Sequence, residues 1–167
     1  MASAPNAIDR EKVKCLLGRE PRGLEAIQVR NASGEPSVIR VAALVDDKPF
    51  PTLFWLVDPA LNRWLARLEA AGKIAELQQL ADSSSELQEQ LCTDHRAYIA
   101  ARERYMTPDI KAQLVSLGYF APLQARGIGG IANFNRVRCL HTFYAAHLVQ
   151  ANSIGLLLEQ RYREADG

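Results

Sequence analysis

The spacing of the apolar residues changes at Asp58, and this change limits the folds open to the chain. Before Asp58, β-branched runs over 26–30 and 38–44 flank the turn sequence Asn31-Ala-Ser-Gly-Glu-Pro and predict a β-hairpin. A continuous apolar run over 53–57 predicts a third antiparallel strand, central in the sheet and covered on both faces. After Asp58, apolar residues recur every three or four positions, as they do along one face of a helix.

The helical part of the sequence begins with Asp58 as an N-cap and Pro59 at the first helical position. Helices are predicted over about 9–17, 58–72, 74–80, 85–105, 107–118, 135–150 and 154–163. Strands followed by a run of helices predict an α+β fold, in which five to six helices of the C-terminal two-thirds cover one face of a small antiparallel sheet of about three strands. The length of 167 residues fits a single domain, 1–167, with 1–8 as a loose flank.

Composition excludes several kinds of partner. The formal net charge of +1 gives no attraction to nucleic acid or to an anionic membrane surface. No apolar stretch approaches the roughly 20 residues of a membrane-spanning helix. The cysteines Cys15, Cys92 and Cys139 are odd in number and widely spaced, and the first residues lack the apolar run of a secretory signal. We therefore expect a reduced, cytoplasmic protein with no nucleic-acid partner, no membrane partner and no cofactor.

The predicted helix over 85–105 carries polar residues on its core-facing side. Leu87 and Leu91 set this face, and at about 100° per residue it continues with Asp94, His95, Tyr98, Arg102 and Tyr105. Burying an Asp, a His and an Arg costs free energy unless they pair or line a wet cleft. Two interpretations stay open, a polar pocket for a ligand and a buried network that only orients helices.

Residues 127–147 combine a glycine-rich loop, two arginines, a cysteine and two of the three histidines. The glycines Gly127, Gly129 and Gly130 lack the spacing of a dinucleotide-binding fingerprint. With Arg136 and Arg138 near the start of the next helix, they predict a phosphate or carboxylate site built from backbone N–H groups, a helix dipole and guanidinium groups. The alternatives are a flexible hinge and a loop that approaches the sheet closely.

The triplet Cys139-Leu140-His141 suggests a metal site. On a regular helix, residues two apart point about 200° apart, so one ion takes both ligands only where the helix starts later or is distorted. We expect Cys139 to be a buried small hydrophobic residue rather than a nucleophile, although exposure near a helix N-terminus would lower its pKa. We expect His147 to be a hydrogen-bonded core histidine, and His141 is the strongest titrating candidate.

Several segments also have a family likeness. They are Gly18-Arg-Glu-Pro-Arg-Gly, Pro49-Phe-Pro-Thr-Leu-Phe-Trp-Leu followed by Asp-Pro, Leu68-Glu-Ala-Ala-Gly, Asp94-His95 with Tyr98, Val137-Arg-Cys-Leu-His after Gly-Gly-Ile, His147, and Asn152-Ser-Ile-Gly. In combination, over about residues 17–155, they resemble the bacterial family called domain of unknown function 501. The resemblance implies no established activity.

The resemblance also bears on a metal. Some members of that family carry a cysteine in the hairpin and a cysteine or histidine just before the proline at position 59, which together with the Cys-Leu-His triplet would look like zinc ligands. Here the first two places hold Asn31, a poor zinc ligand, and Asp58, which has a competing role as a helix cap. We therefore expect no metal, with Asp58, Cys139 and His141 as the alternative ligand set.

The sequence predicts two main classes of function. The favoured one is a binding or regulatory module whose pocket, between the long helix and the glycine-rich segment, binds a small anion or phosphorylated ligand. Its predicted ligand-binding residues are Arg22, Tyr98, Arg102, Gly127, Gly129, Gly130, Arg136 and Arg138. The second is a hydrolase or transferase acting on a phosphorylated substrate, with Asp94 orienting His95 or His141 as the general base. A third possibility is an interaction module that forms a homodimer through the leucine-rich C-terminal helix, 154–163.

Overall fold

A computed structural model describes residues 1–163 of the chain, so residues 164–167 of the predicted single domain lie outside the described part. A three-stranded antiparallel sheet in the N-terminal half is followed by a run of helices, which confirms the α+β fold. The strands are β1 (Leu24–Arg30), β2 (Pro36–Val41), β3 (Leu44–Val45), β4 (Lys48–Pro49) and β5 (Phe54–Leu56). The helices are α1 (Ala7–Leu17), α2 (Pro59–Ala70), α3 (Lys73–Asp82), α4 (Ser85–Tyr105), α5 (Pro108–Ser116), α6 (Phe120–Gln124), α7 (Leu140–Val149) and α8 (Ser153–Leu158).

The order of the strands corrects one prediction. The sheet has the order β1-β2-β5, so the apolar run around Phe54 forms an edge strand and β2 is central. In the hairpin β1 pairs with one side of β2, so β5 pairs with the other side. The run is nevertheless covered on both faces. Phe54 packs into the large helical core, and Trp55 packs against a second core on the opposite face of the sheet. Strands β3 and β4 form a separate two-stranded ribbon that the sequence did not predict.

Helices cover both faces of the sheet, whereas the sequence predicted cover on one. Val38 and Phe54 face the large core that α2, α3, α4, α7 and α8 share. Ile39 and Val41 point the other way and pack with Val13 of α1 in a second core. Neighbouring residues of a strand face opposite sides, so an apolar run on β2 needs cover on both.

The N-terminal flank, expected to be loose, makes defined contacts. Ser3 forms an antiparallel bridge with Ile27 of β1. Asn6 caps α1 by accepting the N–H of Asp9, and the Asp9 carboxylate accepts the N–H of Asn6 in return. The buried Asp9 also pairs with Arg30 at 2.9 Å. These contacts hold the start of α1 on the edge strand β1.

The helix predicted over 135–150 begins later than expected, at Leu140. The segment before it is not helical, and the N–H of Val137 donates to the side chain of Gln78 on α3 at 2.8 Å. Cys139 takes φ −38° and ψ 110°, outside the helical range. Cys139 therefore lies before α7, and the argument from 200° of helical rotation does not apply to it.

The C-terminal part agrees with the predicted helix over 154–163, since α8 continues into a π-helical turn, Glu159–Arg163. Its three leucines have different surroundings: Leu156 is exposed, Leu157 is half-buried and Leu158 is buried. Dimerisation through this helix stays a prediction. In residues 1–163, every helix is too short or too polar to cross a membrane.

Candidate functional site

His95, Tyr98 and Arg102 of the polar stripe of α4 are buried and bond to backbone groups of other elements. The Tyr98 hydroxyl accepts the N–H of Leu53 at 2.6 Å and that of Phe54 at 3.3 Å, at the start of β5. The Arg102 guanidinium donates to the carbonyls of Pro51, Leu123 and Arg126. Burial raises the pKa of Tyr98 to about 12 and lowers the pKa of Arg102. These two side chains attach α4 to the sheet and to the turn after α6.

His95 holds the glycine-rich loop. Its Nδ1 accepts the N–H of Ile128 at 3.0 Å, so the ring proton resides on Nε2. The ring stacks on Phe134, with centroids 4.7 Å apart, and meets the edge of Phe143. Burial lowers the pKa of His95 to about 4, so the ring is neutral at physiological pH. A Cβ on Gly127 would lie 2.2 Å from Nδ1, which leaves no room for a side chain there.

The glycine-rich loop uses its own N–H groups. Gly127 donates to the carbonyl of Ile131, Gly130 donates to that of Gly127, and Ile131 donates to that of Ile128. Gly129 and Gly130 have positive φ values of 63° and 74°, and a Cβ on Gly129 would collide with Thr142. Of the interpretations offered by the sequence, a loop that approaches its neighbours closely agrees with this geometry. The neighbours are chiefly α4 and α7.

The other predicted ligand-binding residues do not converge on the loop. Arg136 and Arg138 are exposed beyond it, and Arg22 lies across the molecule beside the β3–β4 ribbon, where it pairs with Asp46. A cleft of about 260 Å³ does lie between α4 and the glycine-rich segment, lined by Asp94, Tyr98 and Ile128 among others. Its ionisable groups in the described residues are a carboxyl and a phenol, so it offers an anion no positive charge. Anion binding there stays a prediction.

Asp94 and His141 have different partners. The Asp94 carboxylate accepts the N–H of Ser153 at 2.9 Å and also its hydroxyl, and so attaches α4 to the start of α8. His141 contacts Glu69, Asn62 and Cys139 instead. The predicted acid–base pair of Asp94 with His141 is therefore not formed.

Three side chains with metal-binding chemistry meet at the start of α7. Glu69 extends from the last turn of α2, Cys139 immediately precedes α7 and His141 lies in its first turn. One ligand atom from each lies within 4.8 Å of the other two. Cys139 is exposed, which corrects the expectation of a buried hydrophobic residue. The late start of α7 brings Cys139 and His141 to the same side of the chain.

The two nitrogens of His141 have distinct surroundings. Nε2 lies 3.2 Å from the carbonyl oxygen of Asn62, which can only accept, so Nε2 carries a proton. Nδ1 lies 3.2 Å from Oε1 of Glu69 and 3.8 Å from Sγ of Cys139. The bond to Cys139, with the Glu69 charge adding to it against partial burial, raises the pKa of His141 to about 9. The same bond lowers the pKa of the Cys139 thiol.

Glu69 takes the place that the sequence alternative gave to Asp58. The Asp58 carboxylate caps α2 by accepting the N–H groups of Ala60 and Leu61, and its second oxygen accepts the Ser37 hydroxyl at 3.0 Å. The predicted cap is confirmed, and the cap together with the Ser37 hydroxyl occupies both oxygens. The sequence analysis missed Glu69. A signal existed, since Glu69 follows Leu65 by four residues and so lies on the apolar face of α2.

The third histidine is structural. His147 is almost fully buried, and its Nδ1 accepts the N–H of Asn152 at 3.2 Å. Gly155 passes so close to this ring that a Cβ there would lie 2.1 Å from Cγ of the histidine. The expected hydrogen-bonded core histidine is confirmed.

The protein therefore combines an α+β fold with a cluster of Glu69, Cys139 and His141 at the start of α7. The sequence profile of the family described as "Protein of unknown function (DUF501)" matches residues 27–160. The chain belongs to this family, which confirms the resemblance seen in its motifs. No curated protein and no solved structure matches the chain. The family description names no activity.

Proposed function

We propose that this protein binds one divalent transition-metal ion, zinc by the chemistry of its donors, through Glu69, Cys139 and His141. The observation that carries the proposal is the convergence of a carboxylate and a thiol on the same ring nitrogen, Nδ1 of His141. Nε2 already donates to Asn62, so Nδ1 is the nitrogen that can bind a metal ion. When Nδ1 loses its proton, one cation can take the proton's place between the imidazole, the carboxylate and the thiolate.

The distances support a tetrahedral ion. With zinc bond lengths of about 2.3 Å to sulfur and about 2.0–2.1 Å to nitrogen and oxygen, tetrahedral angles separate S from N by about 3.6 Å and N from O by about 3.4 Å. The corresponding separations around His141 are 3.8 Å to Cys139 and 3.2 Å to Glu69. Two of the three donor separations are thus close to those of a tetrahedral ion, and the third, between Cys139 and Glu69, lies within 4.8 Å.

The contact between His141 and Asn62 supports the same proposal. A histidine that binds a metal through one nitrogen usually donates the N–H of the other to a carboxylate or a backbone carbonyl, which fixes the tautomer and the ring plane. The carbonyl of Asn62 serves this purpose here, at 3.2 Å from Nε2. The carbonyl itself is fixed in the first turn of α2.

Three protein ligands leave one position of a tetrahedral ion for water or for a ligand. This number is typical of catalytic zinc sites, whereas structural sites have four protein ligands. The exposure of Cys139 and of the preceding Arg138 gives solvent access to that position. A carboxylate or phosphate could bind there, which would place the predicted anion site on the metal instead of in the glycine-rich loop.

A second candidate function is a hydrolase or transferase that uses Cys139 as nucleophile and His141 as its base. The observation in its favour is an exposed thiol at the N-terminus of α7, bonded to an imidazole that lowers its pKa. Glu69 favours the metal, because both anionic groups face the same nitrogen, whereas a catalytic carboxylate orients the nitrogen that does not face the nucleophile.

Cobalt titration tests the proposal. Protein stripped with a chelator under reducing conditions is titrated with Co²⁺ and followed by absorbance. We expect one ion per chain, with a thiolate-to-cobalt charge-transfer band and the visible bands of a four-coordinate ion, both displaced by Zn²⁺. Cys139→Ser should abolish the charge-transfer band, and His141→Gln should weaken binding at least tenfold.

Cys15→Ser is the matched control, since Cys15 is also an exposed free cysteine but lies on α1. It should leave the titration unchanged. Absence of a charge-transfer band in wild-type protein, or its persistence in Cys139→Ser, would rule out the metal site. If the band is absent and a chloroacetamide probe labels Cys139 in a manner that depends on His141, the nucleophile is the better description.

A further inference from the structure

A second depression, outside the proposed metal site, lies on the other side of the sheet. It is bounded by the end of α1, the loop over 18–23, the β3–β4 ribbon and the outer face of β2 and β5. Its volume is about 470 Å³, within the range of small-molecule sites. None of its lining residues belongs to the Glu69, Cys139 and His141 cluster, so the two sites are independent.

Its floor is apolar and one wall is aromatic. Ile39 and Val41 of β2 form the floor with Leu24, and all three are buried. Phe50 and Trp55 form the wall, with ring centroids 6.4 Å apart. The indole N–H of Trp55 donates to the carbonyl of Thr52, so this donor is already engaged. Such a surface accommodates a flat ring.

The rim carries more positive than negative groups. Arg19, Arg22 and Lys48 line it together with Glu20 and Asp46. Both carboxylates have partners already, since Asp46 pairs with Arg22 at 2.7 Å and Glu20 pairs with Lys14 at 2.5 Å.

Two of the rim cations have no such partner. Within residues 1–163, no carboxylate lies within ion-pair distance of Arg19 or Lys48. The Arg19 guanidinium lies over the Trp55 ring, 5.4 Å from its centroid. Two cations therefore stand beside an aromatic wall with their charge not neutralised.

The backbone around the depression is held in unusual conformations. Asp46 and Asp47, the two residues between β3 and β4, both have positive φ, at 51° and 59°. Non-glycine residues adopt this region only at an energetic cost. Gly23 faces the same ribbon, and a Cβ there would lie 2.4 Å from Val45. The tight turn positions Asp46 against Arg22 and thereby fixes one side of the rim.

We propose that this depression binds a small molecule that joins a planar aromatic ring to one anionic group, a carboxylate or a phosphate. The ring lies against Trp55 and Phe50 over the floor of Ile39, and the anionic group pairs with Arg19 and Lys48. Arg22, predicted from the sequence as an anion-binding residue, also lines the rim, but its guanidinium is paired with Asp46.

Nuclear magnetic resonance of ¹⁵N-labelled protein tests this proposal with three probes: indole-3-acetate, phenyl phosphate and the uncharged indole-3-acetamide. We expect both anionic probes to shift the Trp55 indole N–H and the amides of Arg19 and Gly23 in a saturable manner. The amide probe should bind at least tenfold more weakly than indole-3-acetate. Trp64 provides the internal reference because it lies in the helical core.

The double variant Arg19→Gln/Lys48→Gln should remove the preference for the anionic probes. Both side chains are exposed, so the fold is retained. The matched control is Lys111→Gln, which should bind the probes as wild type does. Lys111 is also an exposed lysine, but it lies on α5, away from the depression, and pairs with Glu103. Equal binding of charged and uncharged indole probes, or no shift of the Trp55 N–H with any probe, would overturn the proposal. Failure of the cobalt titration would not affect this result.

Discussion

Gly127 lies against the ring of His95, and a methyl group in place of its hydrogen would be 2.2 Å from Nδ1. The two residues are far apart in the chain, yet each explains the other. His95 can accept the N–H of Ile128 only if the loop comes this close. A residue that looked like part of a phosphate-binding loop is a glycine because a buried histidine occupies the space of a side chain.

Gly127→Ala should therefore destabilise the protein by at least about 2 kcal/mol, because either the ring or the loop must move in a packed interior. Gly127 has a φ of −88°, so backbone strain does not contribute. Gly18→Ala is the comparison: it has a positive φ of 70° but open space around it, and should cost about 1 kcal/mol. Urea unfolding measures both. A cost for Gly127→Ala no greater than that for Gly18→Ala would contradict the steric explanation.

His95 should make stability fall in mild acid. Its pKa is about 4 when folded and near 6.5 when exposed, so between these values the unfolded chain binds more protons than the folded one. The stabilisation is complete above about pH 6.5, and lowering the pH from about 7 to about 5 should remove about 2 kcal/mol. His95→Gln, whose amide oxygen can still accept from Ile128, should lose this part of the pH dependence. An identical pH slope in wild type and variant would refute the assignment.

Arg102 should be among the residues least tolerant of substitution. It is 1% exposed and donates to three carbonyls without a carboxylate partner. Arg102→Ala leaves those carbonyls without donors and creates a cavity, at a cost of about 3–5 kcal/mol. Arg102→Lys should recover only part of this, because an ammonium group lacks the planar fork.

The matched change for Arg102 is Arg104→Ala, on the exposed side of the same helix, which should cost less than about 0.5 kcal/mol. Thermal unfolding compares the three variants at one pH. If Arg102→Ala and Arg104→Ala were equally stable, the network described for α4 would have no energetic role.

Cys139 should react as a thiolate in metal-free protein at a pH where an ordinary thiol is protonated, because its bond to His141 lowers its pKa. His141→Gln should slow its alkylation by iodoacetamide several-fold near pH 7. Mass spectrometry of the labelled peptides measures the rate, with Cys15 in the same sample as reference. Equal rates in wild type and variant would mean that the pair does not form. Zinc should suppress labelling of Cys139 and leave Cys15 unaffected.

Much of the fold could be predicted because it depends on local pattern. The change of apolar spacing at Asp58 gave the α+β class, the cap at Asp58 and the long helix α4 up to Tyr105. The turn around Asn31 gave the hairpin, and its side chain indeed accepts the N–H groups of Ser33 and Glu35. These features depend on residues within a few positions of one another, whose propensities and hydrogen bonds are readable in order.

The site could be predicted only in part. The sequence singled out Cys139 and His141. Helical periodicity, however, predicted a helix starting already at 135, in which these two side chains point about 200° apart. In the structure the helix begins only after Cys139, whose φ and ψ are not helical, and the N–H of Val137 donates to Gln78, a residue of another helix. Glu69 joins the cluster because α2 packs beside α7, and nothing in the spacing of either helix states which one it meets.

By itself, the sequence determined the fold class, the hairpin, the cap at Asp58 and most of the longer helices, and it showed that α4 carries an unusual set of polar side chains on its core-facing side. Only the tertiary structure decided what those side chains contact: Tyr98 and Arg102 bind backbone, Asp94 binds Ser153, and Glu69 completes the group around His141. The physical reason is range. Secondary structure follows from interactions over three or four residues, whereas a site is set by which faces pack together, and that depends on the whole core.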